Sequence, residues 1–360
     1  MKKILIGAIG LLALASCSQN ETLEVNNDGN EILFGVSSEN ASRAAAGEIF
    51  SSTVNPADFT VYASYNNANF FPAAGIKVKQ DTGDNSKWVT DGKTYYWPKE
   101  GAINFFAVRN GGTPTWNAET GGSLTSSYTV PDNVANQADF IYAYASSAKT
   151  AQKVPLTFKH ALSQVVFKAK NTNTNIEVKI DEVQVCKLQN AGTFTLPNTT
   201  VETVWSGKSG NTSYKVSFDK TTVTSGGVNL TDGVVAKTLL LLPQEVEAAT
   251  PAKAKATFDS AEADGFYFLV KLSYKDTENG AYLWGSATET AYVALPAAIK
   301  WEEGKKYIYT FLFDNGHNGG YDPGTTDPVL FPITFSVSVE DFVPADNKDV
   351  NLNAETQDLK

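Results

Sequence analysis

Seven stretches of this chain carry apolar side chains at a spacing of two: "FTVYASY" (Phe59 to Tyr65), "INFFAVR" (Ile103 to Arg109), "VVFKAK" (Val165 to Lys170), "IEVKIDEVQV" (Ile176 to Val185), "FYFLVKLSY" (Phe266 to Tyr274), "YIYTFLF" (Tyr307 to Phe313) and "ITFSVSV" (Ile333 to Val339). Successive side chains of an extended strand point to opposite faces, so this spacing selects strands and excludes amphipathic helices over most of the length. Between the runs lie "QDTGDNSK", "RNGGTPT", "SGKSGNTS" and "DNGHNGGYDPGTTDP". Their Gly, Asn, Asp and Pro residues favour turns and positive φ and so interrupt strands. The expected fold is an all-β sandwich. No repeat of fixed short period is present. One helix-compatible tetrapeptide, "HALS" (His160 to Ser163), separates two strand-like runs.

The N-terminus sets the compartment. Lys2 and Lys3 precede the apolar run Ile4 to Ala15, which ends in "LASC" at Cys17. The run is shorter than the ~20 residues a membrane span needs and reads as a secretory signal. "LASC" resembles a bacterial lipobox, which makes Cys17 the expected lipid anchor. Residues 1–17 are then the signal peptide with its lipobox Cys. Cys186 alone remains, so no intramolecular disulfide is expected and burial must hold the exported chain. A net charge of −10 opposes nucleic acid and anionic headgroups as partners. At 360 residues the chain is long enough for two domains, each with its own core.

"SQNETLEVNNDGN" (residues 18–30) has almost nothing to bury and reads as a tether. In "EILFGVSS", alternation puts Ile32, Phe34 and Val36 on one face of a first strand. "SENASRAAAGE" follows, and it holds Arg43, one of two arginines in the chain. Its small residues suit a protease that needs an extended, exposed segment. Arg109, at the end of a strand-like run, should be better protected. The expected divisions are 18–43 for tether and propeptide with the first strand, 44–160 for an N-terminal β-sandwich, and 161–360 for a C-terminal one.

The inventory for catalysis is thin. His160 and His317 are the only histidines, and neither sits in a nucleophile motif. His160 reads as a hydrogen-bonded histidine at a strand end. His317 has Asp314, Asp322 and Asp327 nearby but lacks the regular acidic spacing of calcium loops, so it reads as part of a surface loop. No enzyme activity, cofactor or metal site is expected. Trp88, Tyr95, Tyr96, Trp97, Trp116, Trp284 and Trp301 would serve either as core filling or as platforms for sugar rings. The second use supports an alternative reading, an outer-surface glycan-binding lipoprotein.

An ordered set of segments resembles the fimbrillin family of Bacteroides-type bacteria, the Mfa-like or type V pilin superfamily. The set comprises the lipobox at Cys17, "EILFGVSSENASRA", "FTVYASY", "YYWPKEGAINFFAV", "ADFIYAYA", "VPLTFKHALSQVVFKAK", "AGTFTLP", "LLLLPQ" and "WEEGKKYIYTFLF". The resemblance implies two tandem transthyretin-like β-sandwiches and a cell-surface, outer-membrane lipoprotein that polymerises into a pilus by strand exchange after proteolysis. Applied to this sequence, it implies that an arginine-specific protease cuts between Arg43 and Ala44 and frees the strand of Ile32, Phe34 and Val36. A donor strand from another pilin subunit would then enter. Phe331 to Ala354 is the expected donor region, with Ile333, Phe335, Val337 and Val339 or Val350 and Leu352 as its apolar stripe. "DSA" (Asp259 to Ala261) resembles a short glycosylation signal of such bacteria.

Overall fold

Strands with one apolar face need a second surface to cover it, and here sheets cover one another. The computed structural model describes residues 30–38, 58–84, 87–149, 153–199, 204–249, 265–314, 319–325 and 327–341. The first strands are β1 (Phe34–Ser38), β2 (Asp58–Tyr65), β3 (Ala68–Asn69), β4 (Ile76–Gln80), β5 (Trp88–Thr90) and β6 (Ala102–Arg109). Next come β7 (Thr113–Asn117), β8 (Ser123–Thr129), β9 (Ile141–Ala148), β10 (Val154–His160), β11 (Ser163–Asn171) and β12 (Ile176–Leu188). Then follow β13 (Ala191–Thr195), β14 (Trp205–Ser209), β15 (Thr212–Thr222), β16 (Val228–Asn229), β17 (Leu239–Leu241) and β18 (Glu245–Val246). The last are β19 (Tyr267–Asp276), β20 (Tyr282–Trp284), β21 (Ala291–Pro296), β22 (Ile299–Lys300), β23 (Lys305–Phe313) and β24 (Thr334–Asp341). The fold is all-β, as the spacing of apolar residues predicts.

The largest sheet runs β3-β2-β4-β5-β1-β10-β9-β6, and β6 pairs back onto β2. The strands from β2 round to β6 therefore close a ring, which removes the open edges of a flat sheet. Ile32, Phe34, Phe59, Val61, Trp88, Phe105, Leu156 and Phe158 belong to one buried cluster that fills it. Alternation shows directly on β6, where Ile103, Phe105 and Ala107 join that cluster while Phe106 and Val108 join a second one outside the ring.

That second cluster spans both halves of the chain. β7 and β8 pair with β13 and β14 in a four-stranded sheet, and Phe140, Tyr142 and Phe194 meet across it at ring-centroid distances of 4.7 and 4.9 Å. Farther along, the sheet of β16, β11, β23 and β24 faces the sheet of β15, β12 and β19. Phe268 of β19 meets Tyr309 and Phe311 of β23 at 4.9 and 5.7 Å. The position near residue 160 expected for the domain junction falls between β10 and β11.

"HALS" is not helical. His160 ends β10, Ser163 begins β11, and the fully buried Ala161 and Leu162 carry the chain from one sheet into the next. A buried apolar pair linking two strands has the same local pattern as one helical turn, and the long-range pairing of both flanking strands decides between them.

Candidate functional site

The first strand sits inside the closed ring. Its backbone runs parallel to β10 in the register Phe34↔Val154 to Ser38↔Phe158. Toward β5 it has one register pair, Phe34↔Trp88. The approach to the strand is pinned by Ile32 N–H donating to Tyr95 O at 2.8 Å and Trp97 N–H donating to Asn30 O at 2.9 Å. Ile32 and Phe34 are fully buried and Val36 packs partly buried against the same cluster. Phe34 meets Phe105 edge-on at 5.6 Å. Burying these side chains contributes on the order of 4–8 kcal/mol gross, so the strand stays seated while attached. Its departure would uncover the β10 edge and the walls formed by Trp88, Phe105 and Leu156.

At the other end of the described residues, β24 pairs antiparallel with β23 from Leu312↔Thr334 to Lys305↔Asp341 and is an edge strand among them. Its apolar stripe leaves the core progressively. Ile333 is fully buried. Phe335 is partly buried and packs on Phe268 at 5.4 Å and Tyr309 at 6.0 Å. Val337 and Val339 are 42% and 54% exposed. The Lys305 ammonium lies 2.6 Å from the Asp341 carboxylate at the strand's end, in solvent.

Cys17, Arg43, Ala44, Val350 and Leu352 lie outside the described residues, as do His317 and Asp259 to Ala261. Arg109 closes β6 opposite Ile141 and is half-buried. His160 is buried with its Nδ1 3.0 Å from both carboxylate oxygens of Asp139, a partner 21 residues away that nothing local in the sequence signals. Cys186 is buried, and burial pushes its thiol up to about 11, which leaves it a poor nucleophile at neutral pH. Among the aromatic candidates, Trp88, Trp97 and Trp301 are core residues, while Trp116, Trp284 and Tyr95 are partly buried and Tyr96 is exposed. No group of three or more His, Cys, Asp or Glu side chains placed to hold a metal ion occurs among the described residues.

Among solved structures, the chain is similar to a proposed cell adhesion protein from Bacteroides uniformis, at 15% identity and a TM-score of 0.46, covering 88% of this chain and 100% of that one. It is also similar to one from Bacteroides ovatus, at 18% identity and a TM-score of 0.46, covering 88% and 98%. A third, from Parabacteroides distasonis, shares 10% identity with a TM-score of 0.49 over 89% and 99%. No curated protein matches the chain. The family model described as fimbrillin-like matches residues 42–330, well over half of the sequence, and on that match the chain belongs to the fimbrillin-like family.

Proposed function

We propose that this chain is a structural subunit of a surface fimbria, of the stalk or adaptor kind, exported as a lipoprotein on Cys17 and polymerised by strand exchange. The fimbrillin-like family is structural rather than catalytic and makes the chain a pilus- or adhesion-type subunit at the cell surface. The observation that carries the finer reading is the position of β1. It completes a closed ring, it is the first described strand, and Arg43 follows its last residue by five positions. An arginine-specific protease cutting after Arg43 would leave β1 as a separate peptide held only by pairing and burial, and the mature chain would begin at Ala44. The stripe that refills the slot would come from Phe331 to Ala354 of another subunit, either Ile333, Phe335, Val337 and Val339 or Val350 and Leu352. The partly exposed Val337 and Val339 support that region as donor, because only part of their burial is used in their own subunit.

Treating the purified precursor with an arginine-specific protease should give a product starting at Ala44 and a ladder of polymers. Arg43→Ala should stay monomeric, and truncation after Pro344 should give cleaved subunits that fail to extend. Filaments from Arg43→Ala as abundant as wild type would overturn the reading in favour of a glycan-binding lipoprotein. Anchoring is tested separately by labelling with a fatty-acid analogue. Cys17→Ala should take up none, since durable attachment needs the two or three acyl chains carried on that cysteine.

A further inference from the structure

Most aromatic rings of this protein point inward, but three gather around a groove at the outer edge of the sheet of β15, β12 and β19. β19 changes its outer partner along its length, pairing with β20 at Tyr274↔Trp284 and with β21 at Leu272↔Ala291. The chain between those strands leaves the sheet at Gly285, whose φ of 67° suits glycine, and a notch remains where the two strands fail to meet. The notch is a groove of about 490 Å³ lined by Tyr282, Leu283, Trp284, Tyr292, Asp322 and Pro323, among others. That volume falls in the range of small-molecule sites.

Each wall is held by a neighbouring group. Trp284 leans on Phe331 with centroids 5.7 Å apart. The Tyr292 hydroxyl donates to Glu182 Oε1 at 2.7 Å. The ammonium groups of Lys275 and Lys271 each cover one face of Tyr282 and Tyr292 at 5.6 Å. Asp322 is carried by a segment that pairs with β21 through Tyr321 and Ala294, at N···O distances of 2.8 and 2.9 Å. Its Oδ1 accepts from Gly324 N–H at 2.8 Å, which orients the carboxylate. One further feature asks for a ligand: Leu283 is 54% exposed beside the rings.

We propose that this groove binds a neutral hexopyranose unit of a surface glycan. A pyranose has one C–H face suited to lie on Tyr282 and Trp284, and it presents hydroxyls at its rim that donate to a carboxylate. Asp322 supplies that acceptor, and its charge disfavours sugars that carry a carboxylate of their own. The groove contributes one half-buried acid and several half-buried rings, the few-polar, mostly aromatic lining common to small-ligand sites. It is built entirely from the later half of the chain and stands whether or not the subunit polymerises through β1.

Saturation-transfer NMR of the full chain with the methyl glycosides of glucose, galactose, mannose and N-acetylglucosamine tests the site, with methyl glucuronide as the acidic control. At least one neutral glycoside should bind in the millimolar range, with transfer concentrated on the protons of one ring face, and the glucuronide should not. Trp284→Ala should weaken binding about tenfold. Because that change also removes support from Phe331, Asp322→Asn is the second variant. It keeps the turn to Gly324 and should weaken binding roughly fivefold while narrowing the gap between neutral and acidic sugars. Absence of transfer to every neutral glycoside, or equal binding by wild type and both variants, overturns the proposal.

Discussion

β1 and β24 are written in the same code and live in different surroundings. Both place apolar residues at every second position, Ile32, Phe34 and Val36 in one and Ile333, Phe335, Val337 and Val339 in the other. β1 has a neighbour on each side and its stripe faces a closed interior, so burial follows the stripe for most of its length. Among the described residues β24 has one neighbour, and its stripe outruns the core so that the last two valines are left about half exposed. Apolar spacing therefore sets which face of a strand is apolar, while the neighbours set whether that face is covered. A strand of the first kind is costly to remove from its own subunit, and a strand of the second kind has unused burial to offer elsewhere.

The widest gap between the two strands should appear on truncating Phe34. Phe34→Ala removes a fully buried ring from contact with Phe105 and should destabilise the uncleaved chain by about 3–5 kcal/mol, read as a lowered midpoint in urea. A loss below about 1 kcal/mol would break the comparison, because β1 would then be no better seated than β24.

The sheet that receives β24 is itself held by a buried ion pair. On β23, the buried Lys306 ammonium lies 2.6 Å from Asp232 Oδ1, and Lys168 of β11 approaches Oδ2 at 3.3 Å. Burial pushes the Asp232 carboxyl up, but the hydrogen bond and charge of Lys306 together with Lys168 outweigh it and hold the group below the usual carboxylate range. Asp232→Asn orphans a buried ammonium and should cost about 3 kcal/mol at neutral pH. The sign with pH follows from the lowered value. The stabilisation is present above the unfolded value near 4 and is lost as pH falls through the folded one, so wild type should lose stability in acid more steeply than Asp232→Asn. Parallel pH profiles of the two proteins would sink the idea that this pair anchors the β23 side of the sheet.

Much of this architecture is legible in the sequence, and the illegible part has a common cause. The runs at β2, β6, β11, β12, β19, β23 and β24 show themselves by spacing, because each has a face in contact with a core. The spacing does not show that β6 pairs back onto β2 or that β1 lies parallel to β10, which is 120 residues downstream at the Ser37–Thr157 hydroxyl contact. Nor does it show Asp139 beside His160, or the break between β20 and β21 that forms the aromatic groove. Each of these depends on chain segments meeting across long sequence separations, for which a local window carries no signal. Trp284 could be named from the sequence as a sugar platform, yet so could Trp88 and Trp301, which the structure puts in the core.

Closer to the surface the effects shrink. Phe335→Ala, at a partly buried site packed on Phe268 and Tyr309, should cost about 1–2 kcal/mol of monomer stability, less than Phe34→Ala for the same deleted atoms. Equal losses at the two sites would mean that the edge position of β24 does not matter, and the contrast with β1 would have to be redrawn around something other than coverage.

The smallest effect on the monomer should accompany a readable effect on assembly. Val337 and Val339 are exposed enough that the pair Val337→Thr and Val339→Thr should change the unfolding free energy by no more than about 0.5 kcal/mol each. Threonine keeps the β-branched shape and strand preference, so pairing with β23 through Tyr309 and Tyr307 should persist. If these residues enter the vacated β1 slot of a neighbouring subunit, the same change would bring two hydroxyls into an apolar interior without partners, at about 1–3 kcal/mol each. Cleaved double-variant subunits should then polymerise markedly less than wild type while melting at nearly the same temperature. The matching change at Val350 and Leu352 is the internal comparison. Loss of polymer there with none at Val337 and Val339 moves the donor stripe toward the C-terminus, and loss at neither site removes Phe331 to Ala354 as the donor.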